Sequence, residues 1–195
     1  MIKLGAVFLL LLAGTAQAAD RLQTVEISGL SAPGTPAMGK ELGFTECTDK
    51  YRYYECKRGK PMVVYGATTT SASVFIDGKD NFSTKSDSRE GPKVSDVSPE
   101  QLSYRSIRLD FHLTEREILE HALLADGWLK SGTGNSREYF KEGVPATFSI
   151  HRSLTVFSPM DLAEVNRQIT ALKEKAGEAA KASASSNSFI DAMKK

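Results

Sequence analysis

Cysteine is scarce in this 195-residue chain, which has only Cys47 and Cys56. Two thiols exclude a multi-bridge framework and a four-cysteine zinc site, and leave room for one disulfide. Histidine is almost as rare, with His112, His121 and His151. His121 follows Glu117 at helical spacing, but two ligands do not hold zinc and neither cysteine is expected to be free, so no metal site is expected. His151 beside Arg152 reads as a surface pair. Net charge is small, with 25 basic against 24 acidic residues. A balanced chain has no electrostatic reason to seek nucleic acid or an anionic membrane. Catalytic signatures are missing too: there is no G-x-S-x-G elbow and no S-x-x-K pair. SGTGNS at 131–136 is glycine-rich, yet it lacks the Lys-Ser/Thr of a phosphate loop and is predicted to turn between two strands. Neither a cofactor nor enzyme activity is expected.

Long apolar runs are limited to one. Lys3 precedes an apolar stretch from Leu4 to Ala13, and Ala16-Gln17-Ala18 follows. This is the layout of an export signal, too short to span a bilayer, with cleavage expected after Ala18 or Ala19. No cysteine follows that point to take a lipid. A periplasmic protein is the expectation, with secretion beyond it possible. In an oxidising compartment Cys47 and Cys56 are expected to bridge, and closing so short a loop stabilises by about 2–3 kcal/mol.

What is present is a faint self-similarity. GFTECTDKYRYYECKRGKP at 43–61 aligns without gaps on GWLKSGTGNSREYFKEGVP at 127–145. Gly43 meets Gly127, Lys57 meets Lys141, Pro61 meets Pro145, and Cys56 meets Phe140. At the same offset Thr24-Val25-Glu26-Ile27 falls on Arg108-Leu109-Asp110-Phe111, both alternating as half-buried strands do. The pattern predicts an α+β protein of tandem βαββ-type repeats with antiparallel sheet, plus a C-terminal helix. Boundaries follow: a signal peptide at 1–18, a first repeat at 19–84, a linker or long loop at 85–101, and a second repeat at 102–157. The C-terminal helix takes 158–176 and a mobile tail 177–195.

Within the second repeat, Thr114-Glu115-Arg116-Glu117 reads as a capping box, and Ile118, Leu119, Ala122, Leu123 and Ala125 as the inward face of a helix ending at Asp126-Gly127. Thr147 to Phe157 reads as one strand with Phe148, Ile150, Leu154 and Val156 in phase. Ser158-Pro159 is expected to start the last helix, whose stripe is Leu162, Val165, Ile169 and Leu172.

Repeat layout, size and a local disulfide together resemble small exported tandem α/β-repeat inhibitors and envelope adaptors, such as β-lactamase-inhibitor proteins. The resemblance rests on no diagnostic motif and carries over no functional residue. Export, the missing catalytic signatures and a stapled aromatic loop lead to the expectation of a non-enzymatic module binding a protein partner in the periplasm or envelope, as inhibitor or immunity factor of an envelope enzyme. The alternative is an assembly adaptor using the last helix and tail. The candidate surface is Tyr51, Arg52 and Tyr53, since tyrosine and arginine offer large contact areas with polar tips.

Overall fold

A computed structural model describes residues 22–78 and 93–193. The expected signal peptide with its cleavage point, and residues 79–92 of the polar stretch, lie outside the described residues. The fold is α+β, dominated by antiparallel sheet and closed by a C-terminal helix. In chain order come β1 (Val25–Ile27), β2 (Leu30–Ala32), α1 (Pro36–Glu41), β3 (Phe44–Asp49), β4 (Tyr54–Arg58), β5 (Val63–Val64), β6 (Ala67–Thr68) and β7 (Ser71–Gly78). Two 3-10 turns, Val94–Asp96 and Pro99–Gln101, lead into β8 (Leu102–Asp110), α2 (Leu113–Ala125), β9 (Leu129–Thr133) and β10 (Ser136–Phe140). The chain ends with β11 (Ala146–His151), β12 (Leu154–Pro159) and α3 (Leu162–Met193).

Eight strands form one antiparallel sheet in the order β3-β4-β7-β8-β12-β11-β10-β9, while β1-β2 and β5-β6 are separate hairpins. Both hairpins turn through two residues with positive φ, Ser28-Gly29 and Tyr65-Gly66. That is the geometry whose twist matches antiparallel strands, and it needs a glycine at the second place. The Ser28 hydroxyl bonds the Tyr65 amide at 2.9 Å, so the two turns meet.

The segments 24–77 and 108–157 share the order helix, then antiparallel strands. They differ at their leading strands. β8 lies inside the large sheet between β7 and β12, whereas β1 pairs with β2 alone. They differ again at the third strand, because β5 leaves the sheet and lets β4 pair directly with β7.

The main core lies on one sheet face. Val74, Tyr104, Ile107, Leu109, Phe148 and Phe157 from the sheet meet Leu119 and Leu123 of α2 and Leu30 and Ala32 of the first hairpin. Consecutive residues of a strand point to opposite faces, and β10 shows it. Tyr139 belongs to this core, while Phe140 packs with Val165 and Ile169 of α3 on the other side. The α3 helix therefore covers the second face at the β9–β10–β11 end. At the β3–β4–β7 end no described helix covers that face.

Close packing dictates Gly34. Its amide and carbonyl each bond Tyr104 at 2.9 Å, and a Cβ there would lie 2.3 Å from the Tyr104 hydroxyl. That hydroxyl donates to the Ser31 carbonyl at 2.8 Å, tying the first hairpin to β8.

Several expectations need correction. No capping box forms: α2 begins at Leu113 with His112 at its cap, and Thr114 makes no capping bond. Glu115 instead accepts from the Thr68 amide at 2.6 Å, so the first turn of α2 is spent on β6. The helix buries only Leu119 and Leu123; Ile118 and Ala125 are exposed. One sheet face below and small hairpins beside it leave room for a narrow stripe. Thr147 to Phe157 is two strands, since the chain reverses at Arg152 with φ 56°. The reversal switches the phase, so Phe148 and Ile150 face the core with Thr155 and Phe157, not with Leu154 and Val156. Pro159 ends β12 opposite Ala146, and Asp161 caps α3 by accepting from Ala163 N at 2.6 Å. That helix does not stop near Gly177; it continues to Met193, with every residue from Lys173 to Lys181 exposed.

Candidate functional site

The stretch singled out in the sequence is the β3–β4 hairpin at one edge of the sheet. Cys47 and Cys56 are directly paired across the two strands and joined by a disulfide. The Lys50 amide bonds the Tyr53 carbonyl at 2.9 Å, so hydrogen-bonded pairs alternate back from there and Cys47–Cys56 occupies a non-bonded pair. Side chains are closest at such pairs, and the Cα atoms lie 3.9 Å apart. Cys56 is buried in the core and Cys47 is exposed, so the bridge fastens an outer strand to the interior.

The tip is held residue by residue. An Asp49 carboxylate oxygen accepts from the Tyr51 amide at 2.7 Å, and the Arg52 amide donates to the Lys50 carbonyl at 2.9 Å. Tyr51 sits at the centre of that two-residue reach with φ 74°. Such a γ-turn is strained, and for a bulky side chain positive φ is a true outlier. The Tyr51 carbonyl is also taken, by the Val94 amide at 2.7 Å. The residue remains 52% exposed, with the Lys93 ammonium 5.5 Å from the ring centre.

The three candidate residues thus take different places. Tyr51 projects from the tip. Tyr53 is half-buried, its ring edge-on to Phe75 at 5.4 Å on the face opposite the core. Arg52 lies between them, half-buried and engaged in an interaction of its own. On the same face Glu55 lies 3.8 Å from both Lys50 and Lys57. A shallow hollow of about 400 Å³ at the hairpin base is lined by Gly43, Thr45, Glu46, Arg58, Gly59 and Lys60.

His112, His121 and His151 are all exposed, and among the described residues no three His, Cys, Asp or Glu side chains are grouped to hold a metal. SGTGNS is the β9–β10 hairpin turn. No described helix is long and apolar enough to cross a membrane.

Two polar clusters escaped sequence reasoning because their members are far apart in the chain. In the first, the Tyr65 hydroxyl donates to Asp126 at 2.8 Å, the Trp128 indole nitrogen reaches both, and Lys141 lies 2.9 Å from the carboxylate. Lys141, then Tyr65, hold Asp126 below the usual carboxylate range. Burial and the bond to Asp126 push Tyr65 up to about 12. This cluster clasps the β5–β6 turn to the end of α2. In the second, Glu120 of α2 accepts from the Tyr139 hydroxyl at 2.6 Å and pairs with Arg137 at 2.9 Å. Burial first, then Glu120, raises Tyr139. Both clusters fasten one element to another.

Among the described residues Asp77, near the end of β7, is the one carboxyl pushed strongly upward, to about 6, by burial. One of its oxygens is buried with no donor among the described residues. Because the folded value lies above the ordinary 3.8, its contribution to stability is full below pH ~4 and is lost as pH rises through ~6. Discounting for partial exposure, the loss is about 1–2 kcal/mol. Asp77→Asn is expected to flatten that decline in urea titrations run across this window. An equal decline in the variant would refute it.

No protein-family model, curated protein or solved structure matches the chain.

Proposed function

We propose that the protein is an exported, non-enzymatic binding module that docks the Tyr51 tip on a protein partner in the periplasm or envelope, as inhibitor or immunity factor of an envelope enzyme. One observation carries the reading. An exposed aromatic side chain is held in a strained backbone by bonds to its own amide and carbonyl, on a hairpin fastened by a disulfide. Strain of this kind persists where the surroundings over-determine it, and it gathers at functional positions. A tip ordered before binding loses little entropy on docking. The disulfide also supports an oxidising compartment. The shared helix-then-strands order supports two repeats of common origin, and with it the likeness to tandem-repeat inhibitors.

The test is Tyr51→Gly, assayed against partners captured from periplasmic extract by the wild-type chain. Glycine relieves the backbone and removes the ring. Partner affinity is expected to fall by about tenfold or more, while thermal stability holds or rises. Unchanged affinity would remove Tyr51 from the interface.

The adaptor alternative draws on α3. Val165, Ile169 and Leu172 are spent on Phe140, Leu129 and Met160, whereas Leu162 of the same stripe is exposed. The exposed Leu162 and the outer part of the helix, exposed from Lys173 to Lys181, support this reading. Truncation after Lys173 separates the two proposals: an inhibitor acting through Tyr51 keeps its affinity, an adaptor loses its complex.

A further inference from the structure

We infer that the outer edge of β3 pairs with the same edge of a second copy of this chain, joining two sheets across a two-fold axis. Among the described residues β3 has a sheet neighbour on one side only, and Thr45 to Asp49 are exposed. The bond from Lys50 to Tyr53 fixes which backbone groups face inward. Alternation sends those of Glu46 and Thr48 towards β4, and those of Cys47 and Asp49 outward. An antiparallel copy centred on Thr48 then sets Cys47 opposite Asp49 of the second copy, with all four outward groups bonded. In the same register Glu46 faces Lys50 of the second copy, twice by symmetry, and Thr48 faces its own equivalent.

Opposite charges and Thr–Thr pairs are favourable across strands, and a two-fold interface must be self-complementary in this way. The other sheet edge shows the contrast. β9 carries Lys130 as its single charge and is kinked at Gly132, with φ 79°. A lone charge and a kink are how edges are protected from pairing. Glu46 of β3 and Lys50 just past its end carry opposite signs at the spacing one register matches, and Lys50, 3.8 Å from Glu55 of its own chain, is already held on that face. The β3–β4 register shifts between Phe44 and Glu46, and beyond that point the Cys47–Cys56 disulfide fastens the strand to β4, leaving little to order on pairing. The inference is independent of what Tyr51 binds.

The experiment is sedimentation equilibrium of the mature, oxidised chain over a wide concentration range. A reversible dimer is expected. Glu46→Lys and Lys50→Glu each set like charges opposite one another and should weaken it about tenfold. The double exchange restores the pairs and should restore the dimer. Thr48→Lys, at an exposed position on the axis, should weaken it too, and circular dichroism checks that each variant is folded. A chain that stays monomeric, single exchanges without effect, or a double exchange that fails to rescue would each overturn the inference.

Discussion

Replacing Phe148 by alanine is expected to destabilise the protein by about 4 kcal/mol, the range for deleting a buried aromatic ring. Phe148 is fully buried on β11 and stands where the two parts of the chain meet. Its ring centre lies 5.2 Å from Trp128, 5.2 Å from Phe157 and 6.0 Å from Tyr65. Tyr65 comes from the β5–β6 turn, Trp128 follows α2, and Phe157 is on β12, so one cavity would undermine three elements. Edge-on rings add about 0.5–1.5 kcal/mol per pair beyond area burial. The measurement is urea unfolding, and the melting temperature should fall by roughly 10 °C. A loss below about 1 kcal/mol would mean that the site collapses around the gap and that the parts are not held together there.

Removing the disulfide as Cys47→Ala/Cys56→Ala is expected to cost about 2–3 kcal/mol, through the entropy of a short open loop in the unfolded chain. The native consequences concentrate at the edge. β3 buries only Phe44, so without its bridge it has few apolar contacts to hold it. Hydrogen exchange should show β3 amides opening well before those of β7 and β8, which lie inside the sheet. Partner binding through Tyr51 should weaken in step, because the tip loses its preset shape. Equal stability and equal exchange in the bridged and unbridged chains would reduce the disulfide to an ornament.

These two experiments probe the two sources of rigidity, one at the centre and one at the rim. Central order comes from aromatic packing between elements remote in sequence. Rim order comes from a covalent link between residues close in sequence. The second kind was legible from spacing: two cysteines flanking a Tyr-Arg-Tyr turn already implied a short stapled loop. The first kind was not, since nothing in the residues around Tyr65 announces Asp126 or Trp128.

Local chemistry alone settled several features of this chain. Alternating apolar residues made β8 and β11 strands, Asp126-Gly127 ended α2, and of the spaced stripe Leu162, Val165, Ile169 and Leu172 all but the exposed Leu162 pack under α3. Each depends on neighbours within a few residues, so each can be read along the chain. Tertiary structure decided the rest. The phase reversal at Arg152, the withdrawal of β5 from the sheet, the passage of β8 between β7 and β12 and the different fates of Tyr51 and Tyr53 depend on which surfaces meet. Burial and strand pairing are settled between distant segments competing for one core, and a linear pattern fixes their periods without fixing their partners.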